Sequence, residues 1–431
     1  MLLVPAQAKP SAGLRRSPLG GGYRQLAGGI VVAVLLPWLL RAVLEPTKAS
    51  FISQQNAVAG TLIALVAGHL FLRSLTSFPG IRGTNYVLPT FATSYGLVLT
   101  TFFFLRFDYS RVQFFSSFVL CFAWYLWITL LRRRAAQQRI GVVPAGAAAN
   151  VERLPGVDWV RLTSPQASLD HVNAVVADLR ADMPDEWERF LTEAAIAGVP
   201  VYHVKQIQES LTGRVEIEHL SENNFGSLIP GLAYITFKNI TDFVAAVVAG
   251  IVLSPLLLAA AVAVRLDSPG PVLFRQQRMG YRGEPFTVFK FRTMAHTPED
   301  AGADERTRAI TTEGDTRITR LGRFLRRSRI DELPQILNIL RGEMSWIGPR
   351  PEAVVLSRWY ERELPFYRYR HIVKPGITGW AQVNQGHVAD VDDVLWKLHY
   401  DFYYIKNFTP WLDILIALRT MHTMLTGFGS R

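Results

Sequence analysis

The sequence predicts a membrane protein in three parts: an N-terminal α-helical bundle of four spans, a small α/β domain, and an α+β C-terminal domain that carries a re-entrant broken helix. The 431 residues are 49% hydrophobic, and the mean hydropathy is positive, which is too apolar for an ordinary cytosolic chain. The apolar residues lie in discrete segments near the N-terminus and in one more segment at mid-chain. The predicted domain bounds are residues 1–140, 141–230 and 231–431.

Four N-terminal segments each have about the ~20 residues that a helix needs to cross a bilayer. They cover residues 27–44, 57–75, 86–107 and 112–131. Arginines before the first segment (Arg15, Arg16 and Arg24) and the run at 132–134 after the fourth predict that both ends of the bundle are cytoplasmic. A cleaved signal peptide is the weaker interpretation of the first segment, because three more spans follow.

Charge and cysteine content narrow the class of partner. The net charge of +11 is compatible with nucleic acid, anionic lipid or phosphorylated substrates. No zinc-finger, helix-turn-helix or aromatic-basic RNA motif occurs, and the arginines cluster beside apolar segments, so we expect no nucleic acid. The single cysteine, Cys121, lies within the fourth predicted span and excludes an intrachain disulfide.

The segment after the bundle predicts a small layer of parallel strands. Residues 141–150 are rich in small residues, with glycine and proline, and are interpreted as a linker. Short apolar runs at 157–162, 173–178 and 199–204, with a helical pattern at 186–197, predict the α/β layer. It has no glycine-rich strand-to-helix turn, so a structural or regulatory domain is favoured over a nucleotide-binding one.

The mid-chain segment Phe243–Val264 has 22 uncharged residues and could cross a bilayer. Pro255 removes a helical hydrogen bond and clashes with the carbonyl of Ile251, so a break is predicted at Ser254-Pro255. A re-entrant helix over 239–265 keeps the basic regions on either side cytoplasmic, with Lys238 and Arg265 as interfacial anchors. A simple crossing stays an alternative, because true spans tolerate proline.

The C-terminal segment Trp411–Leu425 is too short and too charged to span comfortably. It is either an interfacial helix or an ordinary core helix.

The stretch that points to chemistry is a row of arginines followed by two acids. Arg317, Arg320, Arg323 and Arg326 recur every three residues, and on a helix they form one cationic stripe before Asp331-Glu332. Asp331 is the expected N-cap of a helix over Glu332–Arg341, which ends at Gly342. The helix end and the arginines should keep the Asp331 carboxylate ionised. Capping alone would explain an isolated Asp-Glu pair, but a cationic wall facing two carboxylates suggests phosphate handling.

Three further motifs present polar groups. The run Phe289–Met294 alternates, so Lys290 and Arg292 share one strand face, which could also be a solvated face. Arg350 lies between two prolines that restrict its backbone. The turn at 375–384 presents Trp380 and Gln382, either for function or for packing.

Together these motifs resemble the bacterial polyprenyl-phosphate sugar-1-phosphate transferases. The resemblance covers residues 235 to the C-terminus and rests on KFRTM at 290–294, RIDELPQILNILRGEMSWIGPRPE at 329–352, KPGITGWAQVN at 374–384 and DFYYIKN at 401–407. The N-terminal spans resemble the larger members, which begin exopolysaccharide, capsule or O-antigen synthesis. In that family the catalytic part is monotopic and enters the inner membrane from the cytoplasmic face, by a helix broken at a pair that corresponds to Ser254-Pro255.

The resemblance implies a mechanism. Asp331 would attack the β-phosphate of a UDP-sugar and release UMP, and polyprenyl (undecaprenyl) phosphate would then accept the sugar-phosphate from the aspartate. Glu332 would hold Mg²⁺. Phosphate contacts would come from Lys290, Arg292, Arg326 and Arg350, with Arg327 also considered. The other expected partners are inner-membrane lipids. The α/β domain is shorter than in the larger relatives, and its expected role is either regulatory or the formation of a homodimer.

Other functions stay open at this point. The donor could carry a different sugar, such as an N-acetylated one, because the motifs do not separate them. An inactive transferase-like scaffold for polysaccharide assembly is a second alternative, which intact Lys290, Asp331, Glu332 and Arg350 argue against. A transporter is suggested only by the number of spans.

Overall fold

The computed structural model describes residues 22–44, 51–76, 83–135, 139–154, 157–169, 171–217, 232–294, 317–385 and 391–426. The chain divides into two compact units, Met1–Gly213 and Arg214–Arg431. Arg15 and Arg16, which carry part of the orientation argument, lie outside the described residues.

The four N-terminal apolar segments are helical, as predicted. Two α-helices joined by a π-helical turn form the first of them: α1 (Gly22–Ile30), the turn Val31–Leu35, and α2 (Leu36–Leu44). The others are α3 (Phe51–Leu75), α4 (Gly83–Phe104) and α5 (Arg111–Ala135). In the described part of the chain, five helices are long and apolar enough to cross a membrane: these four segments and Tyr234–Val252.

The bundle is apolar inside and outside. Leu65, Phe91 and Tyr125 are buried in its core, whereas Leu97 and Phe103 are 69% and 77% exposed. Helices that are hydrophobic on all sides are typical of a membrane environment, because an aqueous surface would favour polar residues on the outer face.

The α/β domain has a four-stranded parallel sheet in the order β2-β1-β3-β4, which confirms the predicted parallel layer. The strands are β1 (Arg139–Val142), β2 (Asp158–Arg161), β3 (Ala174–Ala177) and β4 (Val201–His203), and the helices are α6 (Asp185–Ile196) and α7 (Val204–Thr212). Phe190 and Leu191 of α6 belong to one apolar cluster, and Ile207 of α7 belongs to a second one.

The linker interpretation of residues 141–150 is wrong, because β1 ends within this segment and lies at the centre of the sheet. Val142 and Val143 are fully buried, and the segment continues as the 3₁₀ helix Gly146–Arg153. A Cβ atom at Gly141 would lie 3.2 Å from Leu162, so glycine serves close packing here. The small residues that suggested a linker are thus divided between the end of this strand and the 3₁₀ helix that follows it.

The edge of this sheet where open α/β sheets bind ligands is closed. Asp178 follows β3, and its Oδ2 accepts a hydrogen bond of 2.9 Å from the amide of Ala147, which follows β1. Gly146 has φ of +55°, and a Cβ there would lie 2.5 Å from Asp178. The gap between these two strand ends is therefore filled by the protein itself.

The second unit contains the remaining elements. It begins with α8 (Leu232–Val252) and α9 (Ser254–Asp267), followed by an antiparallel hairpin of β5 (Leu273–Met279) and β6 (Pro285–Phe291). Next come α10 (Arg320–Arg327), the 3₁₀ helix Ile330–Gln335, α11 (Ile336–Leu340) and β7 (Ser345–Ile347). Then follow α12 (Val354–Glu363), the 3₁₀ helix Tyr367–Ile372, β8 (Gly376–Thr378), α13 (Trp380–Asn384), α14 (Val391–Lys406) and α15 (Pro410–Thr426).

The predicted break at Ser254-Pro255 is present. Helix α8 ends at Val252, and α9 begins at Ser254 with the proline in its first turn. Pro255 cannot donate to the carbonyl of Ile251, and the Ser254 hydroxyl donates to that carbonyl instead, at 2.7 Å. The two halves together are longer than the predicted range of 239–265.

The C-terminal helix α15 packs into the core of its unit through Leu412, Leu415 and Ile416, which are fully buried. Between them Asp413 accepts a hydrogen bond of 2.6 Å from Lys238. Lys238, predicted as an interfacial anchor, is thus buried in an ion pair. Along this face, α15 is the core helix that was one of the two interpretations.

Candidate active site

The two acids lie on a tight turn between α10 and α11. Arg329 has a left-handed backbone (φ of +58°) and directly precedes the 3₁₀ helix that contains Asp331 and Glu332. The predicted N-cap role of Asp331 is wrong: it lies inside this turn, and Arg329 occupies the cap position without a side-chain hydrogen bond. The predicted stop at Gly342 is confirmed, since α11 ends at Leu340 and Gly342 has φ of +75°.

Glu332 is enclosed by cations. Its Oε1 accepts hydrogen bonds from Lys290 Nζ at 3.0 Å and from Arg350 Nη2 at 2.8 Å, and its Oε2 lies 3.6 Å from Arg329. Burial raises the pKa of Glu332, but Arg350, Lys290 and Arg329 together outweigh that effect and hold the pKa well below its usual value. This carboxylate is therefore ionised whenever the protein is folded at ordinary pH.

Asp331 has the opposite environment. It is 8% exposed, and its Oδ1 has no hydrogen-bond partner among the described residues. Burial and, to a smaller extent, the neighbouring Glu332 raise its pKa to about 6, against the attraction of Lys290, Arg326 and Arg350. Desolvation is thus a larger effect on this pKa than the attraction of the cations. At neutral pH the carboxylate is still mostly ionised, in line with the expected charge state.

Lys290 reaches the acids from β6, where the predicted alternation holds. Its neighbours Phe289 and Phe291 are buried on the other face of the strand. Burial lowers the pKa of Lys290 to about 8, although Glu332 partly offsets this. The ammonium is therefore protonated at neutral pH and loses its proton in mildly alkaline solution.

The Pro-Arg-Pro loop is held by two arginines that were not predicted from the sequence: Arg370, which is buried, and Arg278, which is half-buried. Arg370 donates to the carbonyl of Arg350 at 2.9 Å, and Arg278 donates to the carbonyl of Pro351. Arg370 is itself fixed by Asp401, with nitrogen–oxygen distances of 3.1 and 2.8 Å. Nothing in the local sequence of Arg278 or Arg370 distinguishes them from surface arginines, since only the fold brings them behind the loop.

The same loop is pressed against the glycines of the PGITG motif. A Cβ at Gly376 would lie 2.1 Å from the amide of Gly348, and one at Gly379 would lie 2.2 Å from the Gly348 carbonyl. Trp380 is 1% exposed and stacks on Tyr403, so this motif serves packing, which was one of its two interpretations. The glycines allow this close backbone contact, and the contact fixes the position of the loop that carries Arg350.

The other two predicted phosphate-binding arginines, Arg326 and Arg292, make different contacts. Arg326 donates to the hydroxyl of Thr293 at 2.9 Å and acts electrostatically on Asp331. Arg292 donates to the carbonyls of Ser268 at 2.6 Å and Pro269 at 2.8 Å, and so secures the turn after α9.

A divalent cation fits this donor set only together with a substrate. The described residues contain no group of three or more His, Cys, Asp or Glu side chains that could hold a metal. Asp331 and Glu332 nevertheless supply adjacent carboxylates, and one oxygen of Asp331 is buried without a partner. Mg²⁺ typically takes one or two carboxylates and completes its shell with substrate phosphates and water.

The arrangement suits chemistry on a phosphate ester. A carboxylate oxygen without a hydrogen-bond partner can act as a nucleophile, and Lys290 and Arg350 provide positive charge next to it. Both cations also bind Glu332, and these charge-assisted hydrogen bonds hold them in place.

Comparisons with known proteins show which sequences this chain resembles. A family model described as bacterial sugar transferase matches residues 233–427. A UDP-N-acetylgalactosamine-undecaprenyl-phosphate N-acetylgalactosaminephosphotransferase of Aeromonas hydrophila is 45% identical over 377 residues, 87% of this chain and 88% of that protein. Two UDP-glucose:undecaprenyl-phosphate glucose-1-phosphate transferases match shorter parts. The one from Xanthomonas campestris pv. campestris is 48% identical over 43% of this chain and 38% of its own length. The one from Caulobacter vibrioides is 44% identical over 47% of this chain and 74% of its own length.

Proposed function

The chain belongs to the bacterial sugar transferase family, and from this premise we propose that it transfers a sugar-1-phosphate from a UDP-sugar to undecaprenyl phosphate and releases UMP. The observation that carries the proposal is the buried Asp331 oxygen without a partner, beside the cluster in which Lys290 and Arg350 hold Glu332. The reaction would be the first membrane step in the synthesis of exopolysaccharide, capsule or O-antigen.

The proposed chemistry has two displacements at one phosphorus atom. In the first, an oxygen of Asp331 bonds to the β-phosphorus of the UDP-sugar, and the bond from that phosphorus to the bridging oxygen breaks, so that UMP leaves with the electron pair. In the second, a phosphate oxygen of undecaprenyl phosphate attacks the same phosphorus and releases the Asp331 carboxylate. Lys290 and Arg350 would offset the negative charge that develops on the phosphoryl oxygens.

We further propose that Glu332 holds Mg²⁺ together with the diphosphate oxygens. Its Oε2 is the more available oxygen, because Arg329 lies beyond hydrogen-bonding distance at 3.6 Å. The bound ion would supply additional positive charge to the leaving group. Chelation should abolish UMP release and added Mg²⁺ should restore it; turnover that is indifferent to chelators would remove the metal from the proposal.

The proposed location is the inner membrane, with four N-terminal spans and the catalytic unit on the cytoplasmic face. The fifth apolar helix, α8, would enter with α9 as a re-entrant pair that turns at Ser254-Pro255. This is supported by the break in the helix and by the exposed apolar side chains on both halves, such as Ile251 at 69% and Leu258 at 68%. Such a helix would bring Asp331 to the level where the phosphate of the lipid acceptor lies.

The test is UMP release from the purified protein with a panel of UDP-sugars, with and without undecaprenyl phosphate. UDP-N-acetylgalactosamine and UDP-glucose head the panel, because the relatives are named for these donors. A two-step reaction predicts a burst of about one UMP per active site without acceptor and continuous release with it. Absence of UMP release from every donor would favour the alternative, an inactive scaffold of polysaccharide assembly.

A further inference from the structure

Helix α10 has two chemically different faces. Leu325 is 2% exposed on the inner face, next to the buried Gly322. On the outer face, Arg320, Arg323 and Arg327 are exposed, and Phe324 among them is 60% exposed. These four positions follow the i, i+3, i+4, i+7 spacing of one helical stripe and are called here the cationic face.

Close packing on the inner side of α10 fixes the direction in which the cationic face points. A Cβ at Gly322 would lie 2.0 Å from the carbonyl oxygen of Thr293, so α10 lies in backbone contact with the end of the β6 segment. Thr319 caps the helix by accepting from the Gly322 amide at 2.8 Å, and its own amide donates to the Thr293 carbonyl at 3.1 Å. The orientation of the outer face is thus set by close packing on the inner one.

The positive charge of the cationic face is not neutralised by the described part of the chain. No acidic residue occurs between Arg317 and Ile330. Among the described residues, no carboxylate lies within 4.0 Å of the three exposed arginines of this face. Arg326, in contrast, points inward to Thr293. The arginine stripe that the sequence presents as one feature is therefore divided, since Arg326 faces the protein and Arg320 and Arg323 face outward.

The inner face of α10 packs on α9. Leu325 shares an apolar cluster with Ala260 and Val264 of α9. Other side chains of α9 are exposed and apolar, among them Val262 at 51% and Leu266 at 82%. A helix with a cationic outer face lies beside a helix that would be inserted in lipid, which is the composition expected at the headgroup level.

We propose that the cationic face binds the headgroups of anionic phospholipids, with Phe324 entering the interface between the arginines. This rests on the insertion of α8 and α9 that the proposed function includes, but it does not depend on the transfer reaction. Clustered arginines at a membrane surface bind anionic lipid, and salt weakens the binding. Because α10 leads within four residues to Asp331, headgroup contact would hold the reacting carboxylate at the depth of the acceptor phosphate.

The test uses an environment-sensitive fluorophore at Phe324→Cys in the full-length protein. The only native cysteine, Cys121, is fully buried, so the unsubstituted protein serves as the labelling control. The labelled protein is placed in nanodiscs of phosphatidylcholine alone or with phosphatidylglycerol. We expect anionic discs to lower quenching by aqueous acrylamide by about twofold, to raise quenching by nitroxide-labelled lipid, and to lose both effects in high salt.

Two triple variants of equal charge change separate the cationic face from overall charge. Arg320→Gln, Arg323→Gln and Arg327→Gln together should abolish the response to phosphatidylglycerol. Arg358→Gln, Arg362→Gln and Arg368→Gln together remove the same charge from exposed positions elsewhere in the unit and should leave it intact.

The proposal is overturned if the label stays equally open to acrylamide in both lipid compositions, or if the first triple variant responds to phosphatidylglycerol as the parent does. Shielding that appears only when a cell extract is added would assign the face to an acidic protein and also overturn it. None of these readings uses turnover, so an enzyme that proves inactive would leave the result standing.

Discussion

At the scale of single residues, the site holds two ionisable groups whose pKa values approach neutrality from opposite sides. Burial raises the pKa of Asp331 to about 6 and lowers that of Lys290 to about 8. The proposed reaction needs Asp331 deprotonated and Lys290 protonated. The free enzyme therefore has both groups in the required state only between these two values.

We accordingly expect kcat/KM for the UDP-sugar to follow a bell-shaped pH profile with limbs near 6 and 8. On the acid side activity is lost as Asp331 gains a proton, and on the alkaline side it is lost as Lys290 gives one up. Lys290→Arg should move the alkaline limb upward, because a guanidinium stays charged. A flat profile across this range, or an alkaline limb unchanged in the variant, would contradict these assignments.

Substitution of Asp331 should separate function from stability. Asp331→Asn should abolish both the UMP burst and the trapping of a labelled sugar-phosphate on the protein, since it removes the nucleophile. A folded-state pKa above the ordinary value means that the ionised carboxylate opposes folding at neutral pH, and this penalty appears as pH rises toward about 6. The variant should therefore unfold at a higher temperature than the parent at neutral pH.

Glu332→Gln supplies the control of opposite sign. The pKa of Glu332 is depressed, so its ionised form stabilises the fold above its ordinary pKa. Its loss leaves Lys290 and Arg350 buried without their shared carboxylate and should lower the unfolding temperature. Substantial trapping by Asp331→Asn, or equal destabilisation by both variants, would count against the proposed division of roles.

The sequence predicted which residues meet at the site better than how they are held. Lys290, Glu332 and Arg350 each lie in a recognisable sequence motif, and the structure brings the three side chains together. Arg292 was predicted to share a strand face with Lys290, but its side chain binds the turn after α9. Strand alternation predicts the face on which a side chain lies, not the group that the side chain binds. Desolvation of Asp331 likewise depends on neighbours distant in the chain, which no local pattern contains.

At the scale of elements, Ser254-Pro255 is the feature that the sequence predicted best. Proline acts through its own missing amide, so its effect is local and can be read without the fold, and the structure has the break at that position. Strand β1 is the opposite case, because Gly141 looks like part of a linker until the neighbouring strands and Leu162 that pack against it are known. Elements defined by their own backbone are predictable, whereas those defined by packing are not.

Re-entry at this break makes a prediction about topology. Single cysteines at Glu216→Cys and Arg275→Cys, on opposite sides of α8 and α9 in sequence, should both react with an impermeant maleimide only from the cytoplasmic side. Asp108→Cys, exposed between α4 and α5, should react from the other side and serves as the control. Labelling of positions 216 and 275 from opposite sides would establish a simple crossing.

At the scale of the whole molecule, the two compact units divide the proposed roles. The groups of the candidate site, from Arg278 to Asp401, all lie in the unit Arg214–Arg431. Two apolar clusters that support them also draw only on residues of this unit. The predicted bounds at 140 and 230 stay predictions, since the division by contacts falls after Gly213 and keeps the bundle and the α/β domain together.

The second unit should therefore carry the transferase activity alone. The family model lies entirely within it, and the Caulobacter vibrioides relative matches over 74% of its own length through a region of this size. A chain of residues 214–431 keeps α8 and α9 as its membrane attachment and should release UMP with a KM for the UDP-sugar close to that of the full chain. The same truncated chain with Asp331→Asn is the matched negative control.

If the truncated chain is folded, judged by a cooperative thermal transition, yet inactive, the N-terminal unit contributes to catalysis and the division of roles is wrong. If only the KM for undecaprenyl phosphate rises, the spans serve to gather the lipid substrate.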